Sequence, residues 1–172
     1  MANLRLKIPP VAQAGLCIIA MGLLDRYLPL LLLPVPFRSV IAALLIILGG
    51  AVGAAGIVSF RKEKTTVDPR SPEKAATLVV SGVYRYSRNP MYLAVLLILL
   101  GLALFFGTLA AFLPIPLFVL SINRLQIEPE EEALEAVFGE GYRQYKEKVG
   151  RWFSGAAPRC EKGAPGSANR GS

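Results

Sequence analysis

The side chains able to do polar chemistry fall into two short stretches. One is Tyr84-Arg85-Tyr86-Ser87-Arg88-Asn89-Pro90-Met91-Tyr92 and the other Glu128-Pro129-Glu130-Glu131-Glu132-Ala133-Leu134-Glu135. There is no histidine, and the two cysteines, Cys17 and Cys160, lie in an apolar block and a polar tail. Zinc, haem, Ser-His-Asp and Cys-His chemistry lose their usual ligands and bases, so no metal site is expected. Carboxylates, tyrosines, arginines and an asparagine remain. Asn89-Pro90 reads as a helix start, with asparagine at the N-cap and proline at the first helical position. Such an end offers free backbone N–H groups and the positive end of a dipole to a carboxylate or phosphate. The plainer alternative is a structural cap flanked by tyrosines and arginines that anchor a bilayer interface. Leu134, Val137 and Phe138 recur at i+4, i+7 and i+8 from Glu130, which puts Glu130 on the apolar face of a helix and leaves Glu128 and Glu132 to solvent. An inward carboxylate needs a partner: a basic side chain such as Arg124, Arg85 or Arg88, or a polar ligand.

The elements that must position these residues are apolar. Of 172 residues 53% are hydrophobic and 18% charged, a balance wrong for a disordered, coiled-coil or disulfide-framed chain. Read at the roughly 20 residues needed to cross a bilayer core, the apolar residues form four candidate spans, about 8–24, 40–60, 91–106 and 108–123. Arg5 and Lys7 precede the first, but Asp25-Arg26-Tyr27 follows it instead of a small-residue cleavage site, so a retained helix is expected. Pro29, Pro34 and Pro36 make 27–37 a loop. Phe106-Gly107-Thr108 joins the last two spans in a tight hairpin, and Pro114 and Pro116 are expected to kink the fourth. Gly49 and Gly53 form a small-xxx-small pair inside the second span, which favours close helix packing over a nucleotide-binding loop.

Lysine and arginine decide the orientation. The N-terminus carries two, the loop between spans two and three seven, and the chain from Arg124 onward eight, against two in the first loop and none in the hairpin turn. With four crossings nearly all of them share one side, which the positive-inside rule makes cytoplasmic for both termini. The positive charge is then topological, and no nucleic acid partner is expected. Past Phe138-Gly139, Tyr142, Tyr145 and Val149 recur among Arg143, Lys146 and Lys148, an amphipathic stretch suited to lying along the cytoplasmic interface. Residues 154–172 are rich in Gly, Ala, Pro and Ser and are expected to be a disordered tail on a single domain of 1–153. The expected fold class is all-α: an integral-membrane four-helix bundle with a cytoplasmic cofactor pocket and a C-terminal amphipathic helix.

Leu78-Val79-Val80-Ser81-Gly82-Val83-Tyr84, then Arg88-Asn89-Pro90-Met91-Tyr92, an apolar hairpin, Glu130-Glu131 and Phe138-Gly139-Glu140-Gly141-Tyr142 with Tyr145 resemble the isoprenylcysteine carboxyl methyltransferase family, a pattern shared with phospholipid N-methyltransferases. The resemblance covers about 65–153. It implies an integral-membrane enzyme that binds S-adenosylmethionine without a Rossmann fold, in a cytoplasmic pocket. By position the cofactor contacts would be Ala76, Thr77, Leu78, Val79, Tyr84, Asn89, Pro90, Met91, Tyr92 and Glu130. Eukaryotic members have histidine at the position of Asn89. The carboxyl methyltransferases place a substrate-orienting arginine at the position of Gln126, so Gln126 and the nearby Arg124 are the substrate-orienting candidates. The implied reaction is an in-line attack on a sulfonium methyl, driven mostly by positioning in a dry site. A carboxylate or thiolate acceptor needs no base, which favours those over a protonated amine. The implied partners are the lipid bilayer, in a prokaryotic plasma membrane, and a lipophilic methyl acceptor. Two rivals stand beside this reading: an NADPH-dependent reductase similar to sterol reductases, and a non-catalytic helical membrane protein.

Overall fold

The computed structural model describes residues 8–62 and 78–154. Six α-helices follow in order: α1 (Pro10–Tyr27), α2 (Arg38–Lys62), α3 (Pro90–Phe106), α4 (Pro114–Ile122), α5 (Glu128–Phe138) and α6 (Glu140–Lys148). Single 3-10 turns lie at Gly82–Arg85 and Leu109–Phe112, and a π-helical turn at Asn123–Ile127 runs α4 into α5. Among the described residues there is no strand, only an isolated bridge between Leu32 and Thr108. Ala76, Thr77 and the tail beyond Ser154 lie outside the described residues.

Among the described residues two helices are long and apolar enough to cross a membrane, Arg38–Lys62 and the continuous Leu109–Phe138. Only 17% of the apolar window in α2 is buried, and Leu44, Ile47, Leu48 and Val58 stand on its open surface. A core helix of a soluble protein would be mostly covered, so lipid is the medium that suits this face. The second helix has 30 residues, about 45 Å at 1.5 Å per residue, against about 30 Å of hydrocarbon. The end of this helix is acidic: α5 carries Glu128, Glu130, Glu131, Glu132 and Glu135.

Helix α3 is the centre, packed on α1, α2 and α4. Its contact with α2 depends on missing side chains. A Cβ at Gly49 would lie 2.7 Å from the Ala94 carbonyl oxygen, and one at Gly101 would lie 2.8 Å from that of Ala42. Gly53 sits over the Ala94 methyl in ordinary contact. The expected close packing through Gly49 and Gly53 is therefore present, with Gly101 as the matching gap in the opposing helix. On the other side of α3, Met21 of α1, Leu99 and Ala103 of α3, and Phe118 and Ile122 of α4 form one buried core.

The hairpin closes where expected. Gly107 ends α3 in the left-handed region at φ 83°, which glycine adopts without a Cβ penalty. The Arg38 guanidinium fills the space where its Cβ would be, a cation at a helix C-terminus. Thr108 donates to Asp25 at 2.8 Å and fixes the turn to α1. Pro114 and Pro116 occupy the first turn of α4, where a missing N–H costs least. The backbone is irregular on both sides of them, with the 3-10 turn before and the π turn after.

Candidate functional site

The two chemical stretches meet. The loop 78–89 leads into α3, α5 projects beside it, and α6 turns the chain back so that residues 149–154 run against the loop. Gly139, at φ 54°, makes the reversal between α5 and α6. Tyr142, Tyr145 and Val149 then pack as a small core with Leu78, Leu134 and Phe138. These three side chains are 2%, 8% and 2% exposed. The apolar face of α6 is thus used inside the protein. Val137, expected on the inward stripe, is exposed, because α6 covers only the Leu134–Phe138 side of α5.

Tyr92, in the first turn of α3, donates its hydroxyl to Glu130 Oε1 at 2.5 Å and ties α3 to α5. Burial pushes the Glu130 carboxyl up to about 8, opposed by the Tyr92 hydrogen bond and assisted by the charge of Glu131. Tyr84 feels the same carboxylate: burial first, then Glu130, hold its hydroxyl above the usual tyrosine range. Its ring meets Phe60 edge to face at 5.3 Å, and its carbonyl accepts the Tyr145 hydroxyl at 2.6 Å. Glu130 therefore faces inward as its spacing predicts. The expected arginine partner is corrected: the group holding it is Tyr92, and neither Arg124, Arg85 nor Arg88 pairs with it.

The arginines serve Glu131. This carboxylate is 6% exposed. It lies between Arg88 Nη2 at 3.2 Å and Arg151, which reaches it from Nη2 at 2.8 Å and Nε at 3.2 Å. Arg151 also lies 3.8 Å from Glu128. Around this ion pair the chain end is stitched to the loop: Arg88 N donates to the Gly150 carbonyl at 3.0 Å, and Ser154 N to that of Tyr86 at 2.8 Å. Trp152 Nε1 donates to Asn123 Oδ1 at 3.2 Å, in the π turn. Asn89 belongs to the same seam. Its side chain makes no helix cap; Nδ2 donates to the Arg151 carbonyl at 3.1 Å, while its backbone N–H donates to Ser87 Oγ. α3 does begin at Pro90, but with Asn89 turned away from its open N–H groups.

Of the expected cofactor residues, Val79, Tyr84, Pro90 and Tyr92 are buried, the inward Glu130 is half-buried, Leu78 joins the tyrosine core, and Met91 lies against Gly56 of α2. The two substrate-orienting candidates part company. Arg124 is exposed, whereas Gln126 is fully buried one turn before Glu130 and donates from Nε2 to the Ile8 carbonyl at 2.6 Å. Sequence patterning does not single out Glu131 or Arg151. The available signals were an acid next to the inward Glu130, and an Arg-Trp pair just past Val149, the last periodic apolar residue.

An all-helical chain with lipid-suited helices and a buried carboxyl–tyrosine–arginine cluster at their polar end is a membrane protein with an enzyme-like site. Residues 37–141 match the phospholipid methyltransferase family, and the chain belongs to that family, which makes it a membrane methyltransferase. An uncharacterised protein of Haemophilus influenzae is 52% identical over 63 residues, 37% of this chain and 100% of that protein. The protein-S-isoprenylcysteine O-methyltransferase of Schizosaccharomyces pombe is 33% identical over 72 residues, 42% of this chain and 30% of that enzyme. No solved structure matches the chain.

Proposed function

We propose that the chain is an S-adenosylmethionine-dependent methyltransferase whose cofactor site is the Tyr84–Tyr92–Glu130 cluster. The observation that carries this reading is the inward, half-buried Glu130 carboxyl joined to Tyr92 across the first turns of α3 and α5. The donor set fits the cofactor. Glu130 accepts hydrogen bonds of the kind that ribose hydroxyls or an ammonium group give, and Tyr84 and Tyr92 supply flat walls for an adenosine. Bound there, S-adenosylmethionine supplies an electrophilic methyl. The chain's own residues bind and orient: Tyr92 fixes the rotamer of Glu130, Tyr145 fixes the loop at Tyr84, and the buried surroundings exclude water.

The same reading has four helices crossing the bilayer, α1, α2, α3 and the Leu109–Ile127 part of the long helix, with both termini cytoplasmic in a prokaryotic plasma membrane. The segment distribution of lysine and arginine supports it. The acceptor is a small lipophilic or lipid-anchored molecule reaching the site from the bilayer. The family's description names phospholipids and the fission-yeast relative's name an isoprenylated cysteine, both lipophilic. A carboxylate or thiol acceptor suits a chain with no histidine base.

Titration of the detergent-purified protein with S-adenosylmethionine and with NADPH, following heat and melting temperature, tests the cofactor. Saturable binding of S-adenosylmethionine alone is expected, with a stabilisation of about 2.7 kcal/mol at a hundredfold excess over Kd. Glu130→Gln should lose most of that affinity while the apo protein stays folded. Stabilisation by NADPH instead, or by neither in folded protein, rejects the reading.

A further inference from the structure

The turn that joins α4 to α5 carries an extra residue. At Asn123–Ile127 the backbone is π-helical, and the Glu128 N–H returns to the Asn123 carbonyl, five residues back instead of four. Such a turn sets back the phase of the helix after it by one residue, on the order of 100°. Ile122, just before the turn, packs in the core that also holds Tyr92. In an unbroken α-helix Ile127 and Glu130 would stand about 140° and about 80° round from Ile122. With the extra residue taken up, they stand about 40° and about 20° from it, on the face that α3 covers. Ile127 does belong to that core and Glu130 does meet Tyr92. Both therefore depend on the turn staying wide.

Side chains from either end of the chain grip it. From α1, Gln13 Oε1 accepts the Ser121 hydroxyl at 2.6 Å, one turn of helix before the widening. The Ile8 carbonyl takes Nε2 of Gln13 at 3.2 Å and Nε2 of Gln126 at 2.6 Å. From the segment after α6, Trp152 Nε1 donates to Asn123 Oδ1 at 3.2 Å, while the indole packs against the core. Gln13 and Gln126 are buried, and a buried amide is bonded or costly. The hydrogen bonds of Gln13 and Trp152 go to the turn and its approach, not to Tyr92 or Glu130. We propose that the π turn sets the rotation of α5, and that Gln13, Ser121, Asn123, Gln126 and Trp152 are positioning residues that lock it with Glu130 turned to Tyr92. Released, the turn closes to a regular α turn and carries Glu130 away from α3. This deepens the methyltransferase reading and rests on it only for what Glu130 binds; the rotation stands without it.

The test uses the whole protein in detergent and the variants Trp152→Phe and Gln13→Met, each of which keeps most of the side chain's bulk and loses its hydrogen bond. Two quantities are read on each: the affinity for S-adenosylmethionine, and the drop in apo melting temperature between pH 6 and pH 8. The drop reports an inward Glu130, because burial raises its carboxyl to about 8, whereas a carboxyl turned to solvent has lost its proton before pH 6. Of the other groups around it, Tyr92 is its bonded partner, Glu131 is paired with Arg88 and Arg151, and burial holds Tyr84 and Tyr142 above the tyrosine range. Trp152→Phe should weaken S-adenosylmethionine binding roughly tenfold and shrink the drop toward that of Glu130→Gln, and Gln13→Met should do the same. Trp152→Phe keeps a ring in the core and stays informative if Gln13→Met does not fold. Melting temperatures lowered equally at both pH values, with affinity and drop as in the parent, would make these contacts ordinary packing and overturn the proposal. If the parent binds no S-adenosylmethionine, the methyltransferase reading fails, and the drop alone decides the role of the turn.

Discussion

Two sides of α3 are held by opposite means. Against α2 it packs through what is missing, with Gly49 under Ala94 near its start and Gly101 against Ala42 further along, each letting backbone approach backbone. Toward α5 and the chain end the contacts are side chains with directional partners: Tyr92 on Glu130, Arg88 on Glu131, Asn89 on the Arg151 carbonyl. Lipid is as apolar as leucine, so burying apolar surface gives helices in a bilayer no reason to associate; close packing has to do so. Packing of that kind is a matter of shape and tolerates few additions. The polar end has charges to satisfy, and there a lost partner costs more than a lost contact. Precision at the site should therefore come from the ion-pair seam, and association of the helices from the glycine faces.

The largest effect expected from that division is at Glu131. Glu131→Gln leaves Arg88 and Arg151 facing each other with no carboxylate between them. Removing one member of a buried ion pair costs about 3–5 kcal/mol, and the low end applies because Arg151 is 32% exposed. Unfolding in detergent should show that loss. A parent-like melting point would mean the seam does not hold the α3 and α5 ends together.

Next come Gly49→Ala and Gly101→Ala. Each new methyl would press on a carbonyl oxygen, of Ala94 or Ala42, at under 3 Å. Overpacking of this order costs about 1–3 kcal/mol. The cofactor affinity of folded Gly101→Ala should not change, because Gly101 packs on Ala42, further along α3 from Tyr92 than the Ala94 that Gly49 meets. Equal loss of stability and affinity would show the two sides to be one coupled unit. Smaller still is Tyr145→Phe, which removes the hydroxyl donated to the Tyr84 carbonyl. The net worth of such a bond is about 1 kcal/mol. Its mark should appear as faster amide exchange in the 78–89 loop, with α2 and α3 unaffected.

How much of this was readable follows the same division. Period and length in an apolar stretch are local properties, so α2, α3, the Gly107 turn and the packing role of Gly49 and Gly53 were visible in the sequence. Glu130 was visible because its inward position is also local, a matter of spacing to Leu134 and Phe138. Its partner was not, since Tyr92 is 38 residues away and any of three arginines was as plausible on charge alone. Asn89 shows the limit most clearly. Its type and its place before proline both say cap, yet the carbonyl that takes its side chain belongs to Arg151, brought back by the reversal at Gly139. Nothing near Asn89 in the chain encodes that return. The inward turn of Tyr142 and Tyr145 was missed for the same reason: an amphipathic helix has an apolar face whether it covers a membrane or another helix.

The remaining effect is a dependence on pH, and it separates the site from the glycine packing without removing any contact between them. The Glu130 carboxyl is raised from the ordinary range to about 8, chiefly by burial. In the folded protein it keeps a proton that the unfolded chain has already released. Its contribution to stability is therefore whole below about pH 4.5, is lost progressively as pH climbs through 8, and is constant above that. The apo protein should melt at lower temperature at pH 8 than at pH 6, and Glu130→Gln should remove that part of the slope. Gly101→Ala, acting on uncharged packing, should lower the whole curve and leave its slope as in the parent. A ligand that donates hydrogen bonds to the carboxylate favours its ionised form, so S-adenosylmethionine should bind more tightly as pH rises through 8. Affinity independent of pH in the parent, with the stability slope intact, would place the cofactor's donors on some group other than Glu130.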